Sequence, residues 1–259
     1  MAQIIFSEYG QGFPVVFLHG FGESKELWQS FQSSLSAKYR TIAPDLPGFG
    51  ESPLPSGEFS LNDVAVALNE WLESINVDEC AMIGHSMGGY ITLAFAKKYP
   101  HKIKGLGLFH SSVFEDSPEK KENRDKVIQF IKKNGVRPYM ENFVPHLFYS
   151  ENQPRLMDVI RRQVEIGCST SEETLTAYLS AMKNREDSAA FMKEFDKPAL
   201  MIIGRNDTSV PYETSMKQAA LLKHPHMHLL EETGHMGMFE REKETLIYVE
   251  KFVDHVSKH

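Results

Sequence analysis

The stretch Ile83-Gly84-His85-Ser86-Met87-Gly88-Gly89 constrains this chain more than any other. A short apolar run, Cys80 to Ile83, precedes it, and the apolar residues from Tyr90 to Tyr99 recur at helical spacing until Pro100. Ser86 is therefore expected on a strand-to-helix turn. Tight packing of that strand on that helix leaves no room for a Cβ two residues before or two after the serine, a requirement that Gly84 and Gly88 meet. Such a turn lifts a hydroxyl clear of the backbone and puts the Met87 N–H at a helix start, where developing negative charge is stabilised. Acyl transfer is the chemistry it suits.

Composition excludes several other classes. With 259 residues, 41% of them hydrophobic, the chain can bury roughly 70 to 75% of its unfolded surface in one core. A formal net charge of -7 argues against a nucleic-acid partner, which needs a basic excess to neutralise phosphates. Only Cys80 and Cys168 are present, so neither a disulfide framework nor a cysteine-based zinc site is implied. No apolar run reaches the length of a membrane span and no leader-like segment precedes Ile4, so no membrane partner and a cytoplasmic protein are expected. His224-Pro-His226-Met-His228 places histidines alternately, but no carboxylate or cysteine partner is apparent nearby. No metal and no cofactor are expected.

Taken in order, Pro14 to Leu18 reads as a strand covered on both faces, and it ends in the loop His19-Gly20-Phe21-Gly22-Glu23-Ser24. A glycine-rich loop there lets backbone amides approach a ligand, which makes the Phe21 N–H a candidate oxyanion donor beside that of Met87. A helix from about Trp28 to Ala37 and a strand from Tyr39 to Ala43 follow, then Asp45 in a proline- and glycine-rich bend, where it is expected to bond loop amides. Ser60 caps an amphipathic helix running to Ile75; beyond the elbow, Ile103 to Phe109 is one more buried strand. The alternation predicts a mainly parallel, doubly wound α/β sheet with helices on both faces.

From residue 112 to 196 the pattern is helical only, over 119–134, 139–144, 154–168, 171–183 and 188–195. An inserted helical lid over 112–196 is expected, with the core made of 1–111 and 197–259. Met140, Phe143, Phe148, Tyr149, Met157 and Met182, with His146 among them, are expected in its interior. Phe143, His146, Phe148 and Met157, with Met236 beside the last loop, are the candidate substrate contacts. Strands resume at Pro198 to Ile203 and Met227 to Leu230. Asp207 follows the first, where it either turns the loop or presents a carboxylate; His235 follows the second on a loop that lets an imidazole reach outward. A final helix spans about Arg241 to His255.

A serine hydroxyl needs a base within reach, and that base needs a carboxylate to fix its tautomer. Ser86, His235 and Asp207 supply the three types. With the motifs at 19–22, 45–52, 84–88, 204–207 and 234–235 all at strand ends, the chain closely resembles the α/β-hydrolase superfamily over nearly its whole length. That resemblance implies a hydrolase with Ser86 as nucleophile, His235 as base and Asp207 as orienting acid. It also implies that the substrate is a small, partly apolar ester or related carbonyl compound. Dehalogenases and epoxide hydrolases carry aspartate at the elbow, haloperoxidases and proline iminopeptidases tryptophan after the nucleophile. The menaquinone-pathway lyase has a basic residue where this chain has Tyr90. Carboxylesterases, lipase-like enzymes and carbon-carbon bond hydrolases stay compatible, as does a receptor-like member of the fold with little turnover.

Overall fold

The computed structural model describes residues 3–258; the outermost positions of the expected core segments, 1, 2 and 259, lie outside the described residues. Seven strands form one sheet: β1 (Phe6–Tyr9), β2 (Pro14–Leu18), β3 (Arg40–Pro44), β4 (Cys80–His85), β5 (Ile103–Phe109), β6 (Ala199–Gly204) and β7 (Pro225–Leu230). Their spatial order is β1-β3-β2-β4-β5-β6-β7, with only β1 antiparallel to its neighbour. β4 and β6 are buried at every residue, as strands covered on both faces must be.

The helices outside the insertion are α1 (Gln29–Leu35), α2 (Leu61–Ser74) and α3 (Met87–Lys98) in the first half of the chain. A 3₁₀ turn at Lys25–Trp28 precedes α1, so the chain coils earlier and more tightly than the expected helix from Trp28. Ser60 caps α2 in a reciprocal box with Asp63. Between β5 and β6, every regular element among the described residues is helical: α4 (Pro118–Asn134), α5 (Val136–Phe143), α6 (Met157–Ser169), α7 (Glu172–Lys183) and α8 (Ala189–Glu194), with 3₁₀ turns at Pro145–Leu147 and Ser150–Leu156. α9 (Tyr212–Ala219), α10 (Gly237–Glu240) and α11 (Glu242–Val256) complete the chain. None of the described helices is long and apolar enough to cross a membrane.

The strand order decides where a site can form. From β2 the chain moves to β3 on one side and then returns to β4 on the other, so the loops after β2 and β4 diverge and leave a crevice at their carboxyl ends. Register aligns Leu18 with Gly84, His85 with Phe109, Phe109 with Ile202 and Gly204 with Leu230. The residues just past these positions, 19–22, 86, 110, 207 and 235, therefore share one edge. Behind it, Phe17, Trp28, Phe31 and Phe109 pack mostly edge-to-face with centroids 5.0 to 6.3 Å apart, giving that edge a rigid base.

Candidate active site

Ser86 sits between β4 and α3 with φ 50° and ψ −114°, a backbone region that costs a non-glycine residue of order 1–3 kcal/mol. Three hydrogen bonds hold it there: its N–H donates to Phe109 O at 3.0 Å, and its carbonyl accepts from Ser111 Oγ at 2.7 Å and Gly89 N at 3.0 Å. The glycines around it are sterically compelled. A Cβ on Gly84 would lie 2.2 Å from Gly88 C, and one on Gly88 would lie 2.5 Å from Leu18 O. Met87 opens α3, so its N–H has no intrahelical acceptor.

The loop after β2 is held by two side chains. His19 Nε2 accepts from Leu46 N at 2.9 Å, so its Nδ1–H faces Gly20 O at 2.8 Å, and burial lowers the pKa of this neutral ring. Glu23 Oε2 accepts from Gly20 N at 2.5 Å and sits 2.9 Å from His85 Nδ1. Phe21 is thereby fixed on the wall of a cavity of about 470 Å³ that Ser86 and His235 also line. Asp45 accepts from Lys25 N at 2.8 Å and Glu51 N at 3.0 Å, the amide-bonding role expected for it.

Asp207 and His235 are brought together: His235 Nδ1 donates to Asp207 Oδ2 at 2.8 Å, with both side chains at most 3% exposed. Asp207 Oδ1 accepts from Ser209 N at 2.8 Å and Val210 N at 2.9 Å, so it turns its loop as well as facing the imidazole. Burial pushes the Asp207 carboxyl up, but the imidazoles of His235 and His110 outweigh it and hold the pKa well below the usual carboxylate range. With Nδ1 engaged, Nε2 is the ring nitrogen of His235 that Asp207 leaves open.

Other residues shape the site that sequence reasoning did not single out. His85 has an acceptor at each ring nitrogen, Glu23 at Nδ1 and His235 O at Nε2 3.0 Å away, so both bonds form only when the ring is doubly protonated. Burial opposes that charge; Glu23 prevails, raising the His85 pKa, and the same contact outweighs burial to lower that of Glu23. His110 is the opposite case. Its Nε2 accepts from Gly237 N at 3.2 Å, its Nδ1 lies 3.3 Å from Asp207 Oδ2, and burial lowers its pKa to about 4. Glu240 clamps the His235 loop, taking Gly234 N at 3.0 Å and Met236 N at 3.3 Å on one oxygen and Tyr149 N at 3.0 Å on the other. Apart from the Gly234 and Met236 amides that Glu240 takes, these partners are far apart in sequence, beyond the reach of a local pattern.

Of the candidate substrate contacts only Phe143 lines this cavity, with Phe21, Tyr139, Leu179 and Met182. His146 is exposed, its Nδ1 2.6 Å from Asn142 O, and lies with buried Phe148 on a neighbouring depression lined by neither Ser86 nor His235. Met157 is 43% exposed because α6 turns Ile160, Gln163 and Gly167 inward instead, and Met236 is packed in the core. The cavity also has an unexpected cationic wall, Lys120 and Arg124 of α4.

His110, Asp207 and His235 place ligand-type atoms within 4.8 Å of one another. Hydrogen bonds already occupy Asp207 Oδ1 and Oδ2 and His110 Nε2, so these groups are matched to each other as they stand. His226 and His228 pack on α11, His226 edge-on to Phe252 and His228 stacked on Tyr248 at 3.8 Å.

Residues 14–242 match the family model described as the alpha/beta hydrolase fold. The chain belongs to that family. It is 26% identical over 95% of its length to a 2-hydroxy-6-oxo-2,4-heptadienoate hydrolase of Pseudomonas putida, covering 91% of that protein. It is 28% identical over 94% of its length to Lipase 1 of Psychrobacter immobilis, covering 78% of it. Among solved structures it superimposes on a thermophilic esterase from Thermogutta terrifontis with a TM-score of 0.93 at 27% identity, covering 98% of this chain and 94% of that one. Hydrolase chemistry on a small molecule is common to this α/β-hydrolase and these relatives.

Proposed function

We propose that this α/β-hydrolase is a serine carboxylesterase cleaving small, partly apolar esters, with residues 112–196 acting as a lid over the site. One observation carries the reading: His235, held 2.8 Å from the buried Asp207 carboxylate, lines the same cavity as the strained Ser86. In this mechanism Ser86 Oγ attacks the ester carbonyl while His235 Nε2 takes its proton. The amides of Phe21 and Met87 hold the oxyanion, worth about 10²–10³-fold for each donor. The tetrahedral species collapses as His235 protonates the leaving alcohol. Water, deprotonated by His235, then attacks the acyl-enzyme and releases the acid and Ser86. Asp207 holds the tautomer and stabilises the imidazolium throughout.

Steady-state hydrolysis of p-nitrophenyl butyrate tests the reading: Ser86→Ala should remove turnover, and unchanged turnover would refute it. Active-site labelling without multiple turnover would instead favour a receptor. The likeness to the heptadienoate hydrolase favours a second reading, in which the same three residues cleave a carbon-carbon bond next to a ketone. A 2-hydroxy-6-oxodienoate consumed faster than every ester would establish it.

A further inference from the structure

The cationic wall of the Ser86 cavity has more positive charge than the protein around it balances. Asp116, wholly buried in its side chain, is the centre of the cluster: it pairs with Arg124 Nε, with Arg185 Nη1 at 2.8 Å and, more loosely, with Lys120 Nζ at 3.9 Å. Three cations thus share one carboxylate. Glu119, also on the cavity, is exposed to solvent and offsets only part of the excess.

The spare donors belong to residues that line the cavity. Arg185 is committed, donating to Met182 O and Phe114 O at 2.8 Å, with its guanidinium 3.9 Å above the Tyr90 ring. Arg124 spends Nε on Asp116 and Nη1 on a 3.5 Å contact with Met182 Sδ; among the described residues no acceptor bonds its Nη2. Lys120 donates to Ser209 O at 3.2 Å, and an ammonium carries three protons. Tyr90, buried beside these cations, is subject to the same charges: burial pushes its hydroxyl up, and Arg185, Lys120 and Arg124 outweigh it to lower the pKa. Tyr90 is four residues beyond Ser86, which the helical rise places about 6 Å along the axis of α3.

We propose that Lys120 and Arg124 form a carboxylate subsite of the Ser86 cavity, so that the preferred substrates are esters carrying a second, free carboxylate a few bonds from the scissile carbonyl. Half-esters of short dicarboxylic acids have that shape. Their methylene chain would lie against Phe21 and Phe143, and their carboxylate would meet the unused donors of Arg124 and Lys120, a charge-assisted pairing. This inference rests on Ser86 being the nucleophile, and its test separates the two claims.

The test compares kcat/KM for monomethyl glutarate with that for methyl pentanoate, which has the same acyl length without the charge. The wild type should prefer the half-ester at least tenfold, and added salt should shrink the preference. Arg124→Gln and, independently, Lys120→Gln should each cut the ratio at least tenfold; Lys120 is partly exposed, so its variant remains informative if the loss of Arg124 disturbs Asp116. Lys126→Gln, on the same helix but paired with Glu122 outside the cavity, should leave the ratio unchanged. Preference for methyl pentanoate, or a ratio untouched by both variants, would overturn the subsite while leaving the esterase reading intact. Calorimetric binding of monomethyl glutarate to the Ser86→Ala protein reads the subsite without turnover. Binding that weakens in Ser86→Ala/Arg124→Gln upholds it even if no ester is hydrolysed, and equal binding of methyl pentanoate overturns it.

Discussion

Two buried carboxylate–imidazole pairs lie side by side in this molecule, Asp207 with His235 at 2.8 Å and Glu23 with His85 at 2.9 Å, their rings 4.9 Å apart. Distance, burial and residue type hardly distinguish them. What differs is the far nitrogen of each ring. That of His85 is spent on the carbonyl of His235, so the second pair joins three loops: the one carrying Phe21, the turn carrying Ser86 and the one carrying His235. The ring of His235 lies on the cavity wall beside Ser86. The same chemical unit thus serves as a brace in one place and as the proposed proton relay in the other, and only the environment of one nitrogen decides which.

The comparison is sharpest in activity. Asp207→Asn should lower kcat on p-nitrophenyl butyrate by about 10⁴, because the amide no longer holds the tautomer the base needs. Glu23→Gln should act mainly on stability, losing about 3–5 kcal/mol on breaking a buried ion pair, with a smaller effect on kcat. If Glu23→Gln were the more damaging to turnover in folded protein, the two roles would be reversed. The stability gap should depend on pH. His85 is raised above 6.5, so its contribution is complete below that value and fades as pH climbs through the folded pKa; Glu23 is depressed below 4.5, so its contribution is complete above that value and fades in acid. Thermal melts should therefore separate wild type from Glu23→Gln most widely between pH 4.5 and 6.5.

A smaller effect is expected at His110, the neutral ring beside Asp207. Its pKa falls from 6.5 to about 4 on folding, so the unfolded chain binds a proton there that the folded one refuses. Stability should fall as pH drops across that interval, by up to about 3 kcal/mol at 1.36 kcal/mol for each pH unit. His110→Asn should flatten that part of the melting profile, and an unaltered slope would mean that folding does not depress the His110 pKa.

The sheet and the elbow were legible in the sequence because each is specified locally. Apolar runs mark β2, β4, β5 and β6, and the spacing of Gly84 and Gly88 about Ser86 reflects a steric demand of the turn itself. β1 escaped notice because Phe-Ser-Glu-Tyr is short, half-exposed and without alternation. Asp45 is legible as a loop residue that bonds backbone amides, since its bend is dense in turn formers. The insertion was legible as helices but not as a surface: spacing shows that α4 and α6 coil, whereas packing between helices decides that Arg124 faces the cavity and Met157 faces solvent. Glu23, His85, His110 and Glu240 were missed for a related reason. Their meaning comes mostly from partners in distant segments that the fold brings near.

The most direct measurement is the site and stoichiometry of labelling by a fluorophosphonate, which forms a phosphorus–oxygen bond to an activated serine as fluoride leaves. Intact mass and peptide mapping should show one adduct per chain, on Ser86, slowed by orders of magnitude in His235→Gln. An adduct on another residue, or a rate at Ser86 that does not change when His235 is replaced, would contradict the account.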